Sequence, residues 1–279
     1  MTFLTAFDPA LAKRDVDYEA EELKLEGMKR IVSRRAALEL RPDIYVNLGY
    51  GMSDGVPIVA QQEGITDELV FMIEQGAIAG IPTTGLNFGA MFNPTAIVDD
   101  GYQFDFLHGG GLDMAFFGFA QVDQFGNINS TRFGNFVTGS GGSIDISSAA
   151  KKIVYCGTFA VKSEQEITTD GVAVTSRGKV KKFVDHVQQV SFSGQSALKR
   201  GQSVYYVTER AVFTLMSEGV TLLEIAPGVD LHKDVLDMME FKPVISKDLK
   251  SIDQIIYRSE SLGLKERFTE QRKQKNRDG

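Results

Sequence analysis

The chain is predicted to adopt an α/β fold: an open mixed, largely parallel sheet flanked by helices, with a β-rich second half. Three observations predict it. Short continuous apolar runs at residues 44–48, 69–73 and 152–156 have strand length and read as strands buried on both faces. A segment of helical composition separates the first two, which is the order of a βαβ unit. Beyond residue 170, turn residues cut the chain into shorter strand-like pieces.

Taken in order, residues 1–26 are polar and acidic, carrying Asp15, Asp17, Glu19, Glu21, Glu22 and Glu26, and read as a lead-in or linker that Gly27 ends. In residues 28–40, Met28, Ile31, Val32, Ala36 and Leu40 recur at helical spacing. Lys29, Arg30, Arg34 and Arg35 between them read as the solvated face. The run 44–48 enters a glycine loop at 49–55 and then a helix at 56–63. Ser53 or Asp54 is the expected cap, Pro57 falls in the first turn where an N–H has no acceptor, and Gly64 is the stop. The strand at 69–73 completes a right-handed βαβ unit.

Residues 114–122 and 128–133 read as strands joined by the turn Asp123-Gln124-Phe125-Gly126-Asn127, and 152–156 as another buried strand. Strand-like pieces follow at 172–193, broken by Ser176-Arg177-Gly178, and 203–215 is expected to pair with 220–225. A final helix at 229–239 would align Leu231, Val235, Leu236 and Met239. After about Asp253 the chain turns polar and basic, with 272–279 expected to fray. The organisation is therefore a lead-in at 1–26, a domain at 27–255 and a polar basic tail at 256–279.

Composition narrows the chemistry. Thirty Lys and Arg against 37 Asp and Glu leave 279 residues with a formal charge of −7, which argues against a nucleic-acid partner. Cys156 is alone, so no internal disulfide can form, and His108, His186 and His232 have no metal-pair spacing, so no metal site is expected. The N-terminus lacks a secretory pattern and no run approaches the roughly 20 apolar residues of a membrane span. The expectation is a soluble cytoplasmic protein without a membrane partner.

Glycine is concentrated at residues 49–55, 76–89, 109–111 and 139–142. Loops at the carboxyl ends of parallel strands form the ligand crevice of such folds, and glycine lets backbone amides approach a ligand. Glu74 directly follows the buried run 69–73, so its carboxylate should emerge at that end, facing the glycine loops. There it can serve as nucleophile, general base or ion-pair partner.

A rival chemistry is written nearby. Gly51-Met52-Ser53-Asp54-Gly55 matches the G-x-S-x-G nucleophile elbow, and His108-Gly109-Gly110-Gly111 matches an oxyanion segment. That segment should precede the serine, however, whereas here it follows, and only His186 or His232 could complete a triad. The pair Gly49 and Gly51 also suggests a dinucleotide loop. Its third glycine, Gly55, comes one position late, and the acidic residue would be Asp67 or Glu68, ahead of the strand rather than at its end.

Several ordered segments together resemble the family I coenzyme A transferases. They are the run from Val46 through Asn47-Leu48-Gly49-Tyr50-Gly51-Met52-Ser53-Asp54 to Gly55, the strand ending in Glu74-Gln75-Gly76, the segment from Gln103 to Asp113, the turn around Asp123, Gly126 and Asn127, the loop from Gly139 to Asp145, and Thr208-Glu209-Arg210-Ala211-Val212-Phe213. The likeness is greatest to the C-terminal half of single-chain acetate/propionate enzymes, the part that is a β subunit in two-chain relatives. It implies the CoA-transferase fold and transfer of CoA between a short-chain acyl-CoA and a free carboxylate of the acetate, propionate, butyrate or acetoacetate class. The exchange would be ping-pong, through a glutamyl-CoA thioester on Glu74, with CoA as a substrate and no cofactor.

The resemblance further implies that amides of Tyr50, Gly51, Met52, Gly141 and Gly142 face the reacting carbonyl and that Gly109, Gly110 and Gly111 shape the CoA entrance. It implies an α subunit or N-terminal half as partner, in a homo- or hetero-oligomer. Two alternatives stay open: an acyl-CoA hydrolase on the same scaffold, and a non-catalytic CoA-binding subunit of a heteromeric complex. Where many relatives have Ser-Glu-Asn-Gly, this chain has Ile73-Glu74-Gln75-Gly76.

Overall fold

The computed structural model describes residues 7–17 and 24–278; the remainder of the acidic lead-in, residues 1–6 and 18–23, lies outside the described residues, as does Gly279. Ten strands form the main sheet: β1 (Tyr45–Leu48), β2 (Val70–Met72), β3 (Ala77–Ile78), β4 (Ala96–Ile97), β5 (Met114–Gly118), β6 (Lys152–Cys156), β7 (Ser203–Val207), β8 (Ala211–Met216), β9 (Gly219–Ile225) and β10 (Val244–Ser251). Their spatial order is β10-β9-β8-β7-β6-β5-β1-β2-β3-β4. The centre, β7-β6-β5-β1-β2, is parallel throughout. Antiparallel hairpins extend it on both sides, β3 and β4 beyond β2 and β8 and β9 beyond β7.

Burial on both faces explains why the central strands are mainly apolar, Asn47 of β1 being a buried polar exception that donates to the Met72 carbonyl. Alternate residues of β5 serve two different cores: Phe116 packs with Ile31, Val46 and Phe71, whereas Ala115 and Phe117 pack with Met72, Tyr155 and Tyr206. Helix α1 (Gly27–Ala37) supplies Ile31 and Val32 to the first core, and α2 (Val56–Gln62) supplies Val56 and Val59. Helices α3 (Asp100–Phe106), α4 (Ser143–Ala149) and α5 (Gly194–Lys199) are no longer than α2. Among the described residues no helix is long and apolar enough to cross a membrane.

Five local expectations need correction. Arg34 and Arg35 are buried rather than solvated. Arg34 donates to the carbonyls of Ile255, Ile256 and Glu260, and Arg35 forks onto Glu224 at 2.8 and 2.7 Å. Neither Ser53 nor Asp54 caps α2: the Ser53 hydroxyl donates to the Gly49 carbonyl, and Asp54 pairs with Lys29. The stretch 203–215 is two strands, because the chain reverses through the buried residues Thr208, Glu209 and Arg210. Residues 229–239 form a π turn and a 3-10 turn, Leu231–Val235 and Leu236–Met238, rather than one α-helix.

The last correction concerns the C-terminal segment. Leu264–Asp278 is a fifteen-residue helix, α6, whose Leu264 and Phe268 are fully buried in the first core. Glu63 fixes its start by accepting hydrogen bonds from the Leu262 and Leu264 amides, and Arg267 donates to the carbonyls of Leu38 and Leu40.

Candidate active site

The carboxyl ends of β1, β2, β5 and β6 open into a cavity of about 600 Å³. Gly49-Tyr50-Gly51-Met52 follows β1, Phe119 follows β5, Gly157 follows β6, and the loop Gly139 to Ser143 closes over them. The glycines at the floor are required by space. A Cβ on Gly49 would lie 2.6 Å from the Phe117 ring and 3.1 Å from the Phe116 carbonyl, so only glycine lets β1 leave the sheet there.

Glu74 lines this cavity from the end of β2 and is half-buried. It occupies a tight reversal into β3, closed by Gly76 N–H donating to the Ile73 carbonyl at 2.9 Å and Ile73 N–H donating to the Ala77 carbonyl at 3.0 Å. Gly76 takes φ +99° and abuts the Val98 carbonyl, leaving no room for a side chain. Two buried amides hold the residues just before the nucleophile candidate: Asn47 donates to the Met72 carbonyl at 3.0 Å and Gln103 to the Ile73 carbonyl at 3.2 Å.

One carboxylate oxygen of Glu74 accepts the Gly142 amide at 3.1 Å, and the other accepts the Gln75 side-chain amide at 3.3 Å. Burial raises the Glu74 pKa above the ordinary carboxylate value; the Gly142 N–H acts against that shift, and the Asp100 charge adds to it. A carboxylate without a cationic partner, partly stripped of water, is a better nucleophile than one locked in an ion pair.

Of the residues singled out from sequence, Glu74, Tyr50, Gly51, Met52, Gly141 and Gly142 converge on this cavity. Gly109, Gly110 and Gly111 lie outside its lining; Gly109 and Gly110 are exposed, and Gly111 sits under the Phe106 ring. Ser53 is fully buried with its hydroxyl committed to a backbone carbonyl, and His186 and His232 are exposed on other segments, so the nucleophile-elbow reading fails. Sequence reasoning missed Lys182, which is buried and lines the same cavity. Its place in the basic run Lys179-Val180-Lys181-Lys182 carried no signal of burial.

No family model matches the chain. It is 47% identical over 238 residues to the acetate CoA-transferase YdiF of Escherichia coli K12, covering 85% of this chain and 45% of that protein. The chain therefore spans about half the length of that relative. It is 28% identical over 219 residues to the beta subunit of an acetate CoA-transferase of the same strain, covering 73% of this chain and 88% of that subunit. Among solved structures, the acyl-CoA transferase YdiF of E. coli O157:H7, in a thioester complex with CoA, superposes with a TM-score of 0.82 at 42% identity, covering 90% of this chain and 47% of that one. By sequence and fold together, the chain belongs to the family I coenzyme A transferases and corresponds to their β-subunit-like part.

Proposed function

We propose that this chain carries the nucleophile of a CoA transferase that exchanges CoA between a short-chain acyl-CoA and a free carboxylate, with acids of the acetate, propionate, butyrate and acetoacetate class as substrates. The observation that carries the reading is Glu74: a half-buried carboxylate with no cationic partner among the described residues, held by a backbone amide in the wall of the cavity at the strand ends. It works with an N-terminal half or a separate α subunit, since related β subunits stand for only part of the single-chain relatives.

A carboxylate oxygen of Glu74 adds to the thioester carbonyl, and collapse of the oxyanion breaks the C–S bond, leaving an acyl-glutamyl anhydride and CoA thiolate. The thiolate adds to the glutamyl carbonyl, the anhydride C–O bond breaks, and the first acid departs as its carboxylate. The glutamyl-CoA thioester that remains is attacked by the second carboxylate, and the two steps run in reverse on the new acyl group. No proton need move. Each addition creates an oxyanion, and one well-aimed amide donor contributes about 3 to 4 kcal/mol in a serine protease. The amides of the 50–52 and 141–142 loops are the donors we assign. Gly142, already within hydrogen-bond distance of the Glu74 carboxylate, is the foremost.

Trapping tests the proposal. Incubation with acyl-CoA followed by borohydride or hydroxylamine should modify Glu74, located by mass spectrometry. Modification elsewhere overturns the assignment. CoA release that needs no acceptor acid would make the protein a hydrolase instead.

A further inference from the structure

Water is the acceptor that a CoA transferase has to refuse. A glutamyl thioester open to water loses its CoA: the water oxygen adds to the glutamyl carbonyl, the C–S bond breaks, and the glutamate returns as a carboxylate. One water proton goes to the CoA thiolate and the other to solvent. In the exchange proposed above, the acids and CoA occupy the cavity side of Glu74. The opposite side needs a permanent wall.

Phe104 stands on that side. A Cβ on Gly142 would overlap the Glu74 carboxylate and lie 2.8 Å from the tip of the Phe104 ring, so ring and carboxylate flank one point in space. Glu74 and Gly142 line the cavity and Phe104 does not, which puts the ring behind the carboxylate. Asp100, one turn before Phe104 on α3, and His108, one turn after it, are exposed. The half-buried ring is therefore the layer between Glu74 and that surface. Burial is the leading cause of the raised Glu74 pKa, and an apolar neighbour contributes to it.

The ring is held from several directions. It packs against the second core, its neighbour Gln103 donates to the Ile73 carbonyl at 3.2 Å, and the His108 ring meets it edge-on at 6.2 Å. His108 Nε2 lies 3.6 Å from a carboxylate oxygen of Asp145, in the first turn of α4, the helix that Gly142 opens. Ring, carboxylate and amide are thus parts of one packed unit.

We infer that Phe104 is a specificity-determining residue that keeps water from the glutamyl carbonyl, so that CoA leaves to an acid and not to water. The inference rests on the glutamyl-transfer reading above and concerns which acceptor that site admits. A water beside the ring finds no hydrogen-bond partner on that side, which lowers its occupancy by about tenfold to hundredfold.

The test gives the assembled enzyme acetyl-CoA, with and without propionate, in wild type, Phe104→Ala and Phe104→Leu. Free CoA reads hydrolysis and propionyl-CoA reads transfer. The ratio of hydrolysis to transfer should rise about tenfold to hundredfold in Phe104→Ala, and less in Phe104→Leu, which keeps an apolar wall without the ring tip. In water labelled with heavy oxygen, Glu74 of Phe104→Ala should gain the label, located by mass spectrometry. Label confined to the released acid overturns the inference. So does an unchanged ratio in both variants with the Glu74 adduct still trapped, whatever the overall loss of rate. Should Phe104→Ala fail to fold, a wild-type ratio in Phe104→Leu overturns it alone. Absence of a trapped adduct in wild type brings down the glutamyl reading, and this inference with it.

Discussion

Two glutamates have raised pKa values for the same primary reason, burial, yet they sit in opposite kinds of surroundings. Glu74 stands at the end of parallel β2, facing a cavity. Glu209 lies in the reversal between β7 and β8, wholly enclosed, its oxygens taken by the Phe159 amide and Gln165 and facing Arg210. Arg210 is in turn tied to the carbonyls of Asp234 and Arg177 and lies over the Phe159 ring. The contrast teaches that a perturbed carboxylate marks chemistry only where space for a reactant adjoins it. Glu209 joins pieces of the β-rich half, whereas Glu74 faces open space.

Substitution breaks the comparison most sharply at Glu74. Glu74→Gln should lower CoA transfer by roughly 10⁴-fold or more, since the covalent step is lost. Its melting temperature should stay within a few degrees of wild type; activity assays and a thermal melt read the two effects. Glu209→Ala should do the reverse. Leaving Arg210 buried without its partner costs about 3 to 5 kcal/mol, read as a lowered denaturation midpoint, while folded molecules still form the Glu74 adduct.

A subtler change concerns Gly142. A Cβ there would collide with the Glu74 carboxylate, so Gly142→Ala should displace the carboxylate and the amide together. The expected loss in kcat is about 10²-fold to 10³-fold, the range for one oxyanion donor, with little change in stability.

The smallest effect is on pH dependence. Attack requires ionised Glu74, so kcat/KM should rise with pH through an apparent pKa above the ordinary 4.5. Asp100 helps to hold that value up, and Asp100→Asn should therefore shift the acidic limb to lower pH. Linkage has a definite sign here. A carboxylate whose folded pKa is raised makes folding less favourable as pH climbs from 4.5 through the folded value. Glu74→Gln should remove that decline, as denaturation across the window would record.

The sequence made Glu74 legible because a buried apolar run of strand length points its next residue at the crevice, and β2 does run parallel beside β1. The glycine loops at 49–55 and 139–142 were legible for the same topological reason. Lys182 was not: its enclosure depends on Phe119, 63 positions earlier, and on Gly157, contacts that no local pattern encodes. The reversal at Thr208 was hidden because apolar residues continue on either side of it. Thr208 is satisfied locally by Ala211, whereas Glu209 and Arg210 draw on remote partners such as Phe159, Gln165 and Asp234. Helix α6 was read as a tail because its burial rests largely on Leu264 and Phe268, set four apart within a charged segment.

The reversal that carries Glu74 also governs which motions turnover requires. Hydrogen bonds close it on both flanks, from Gly76 to Ile73 and from Ile73 to Ala77, and a further one from Ala79 to Phe71 locks the strand behind it. In the proposed mechanism the carboxylate becomes an anhydride, a thioester and a carboxylate again while its backbone stays clamped. What remains free is rotation about the side-chain bonds, a picosecond-to-nanosecond process. If the proposed mechanism holds, exchange between its intermediates proceeds by swinging one short side chain rather than by moving the backbone.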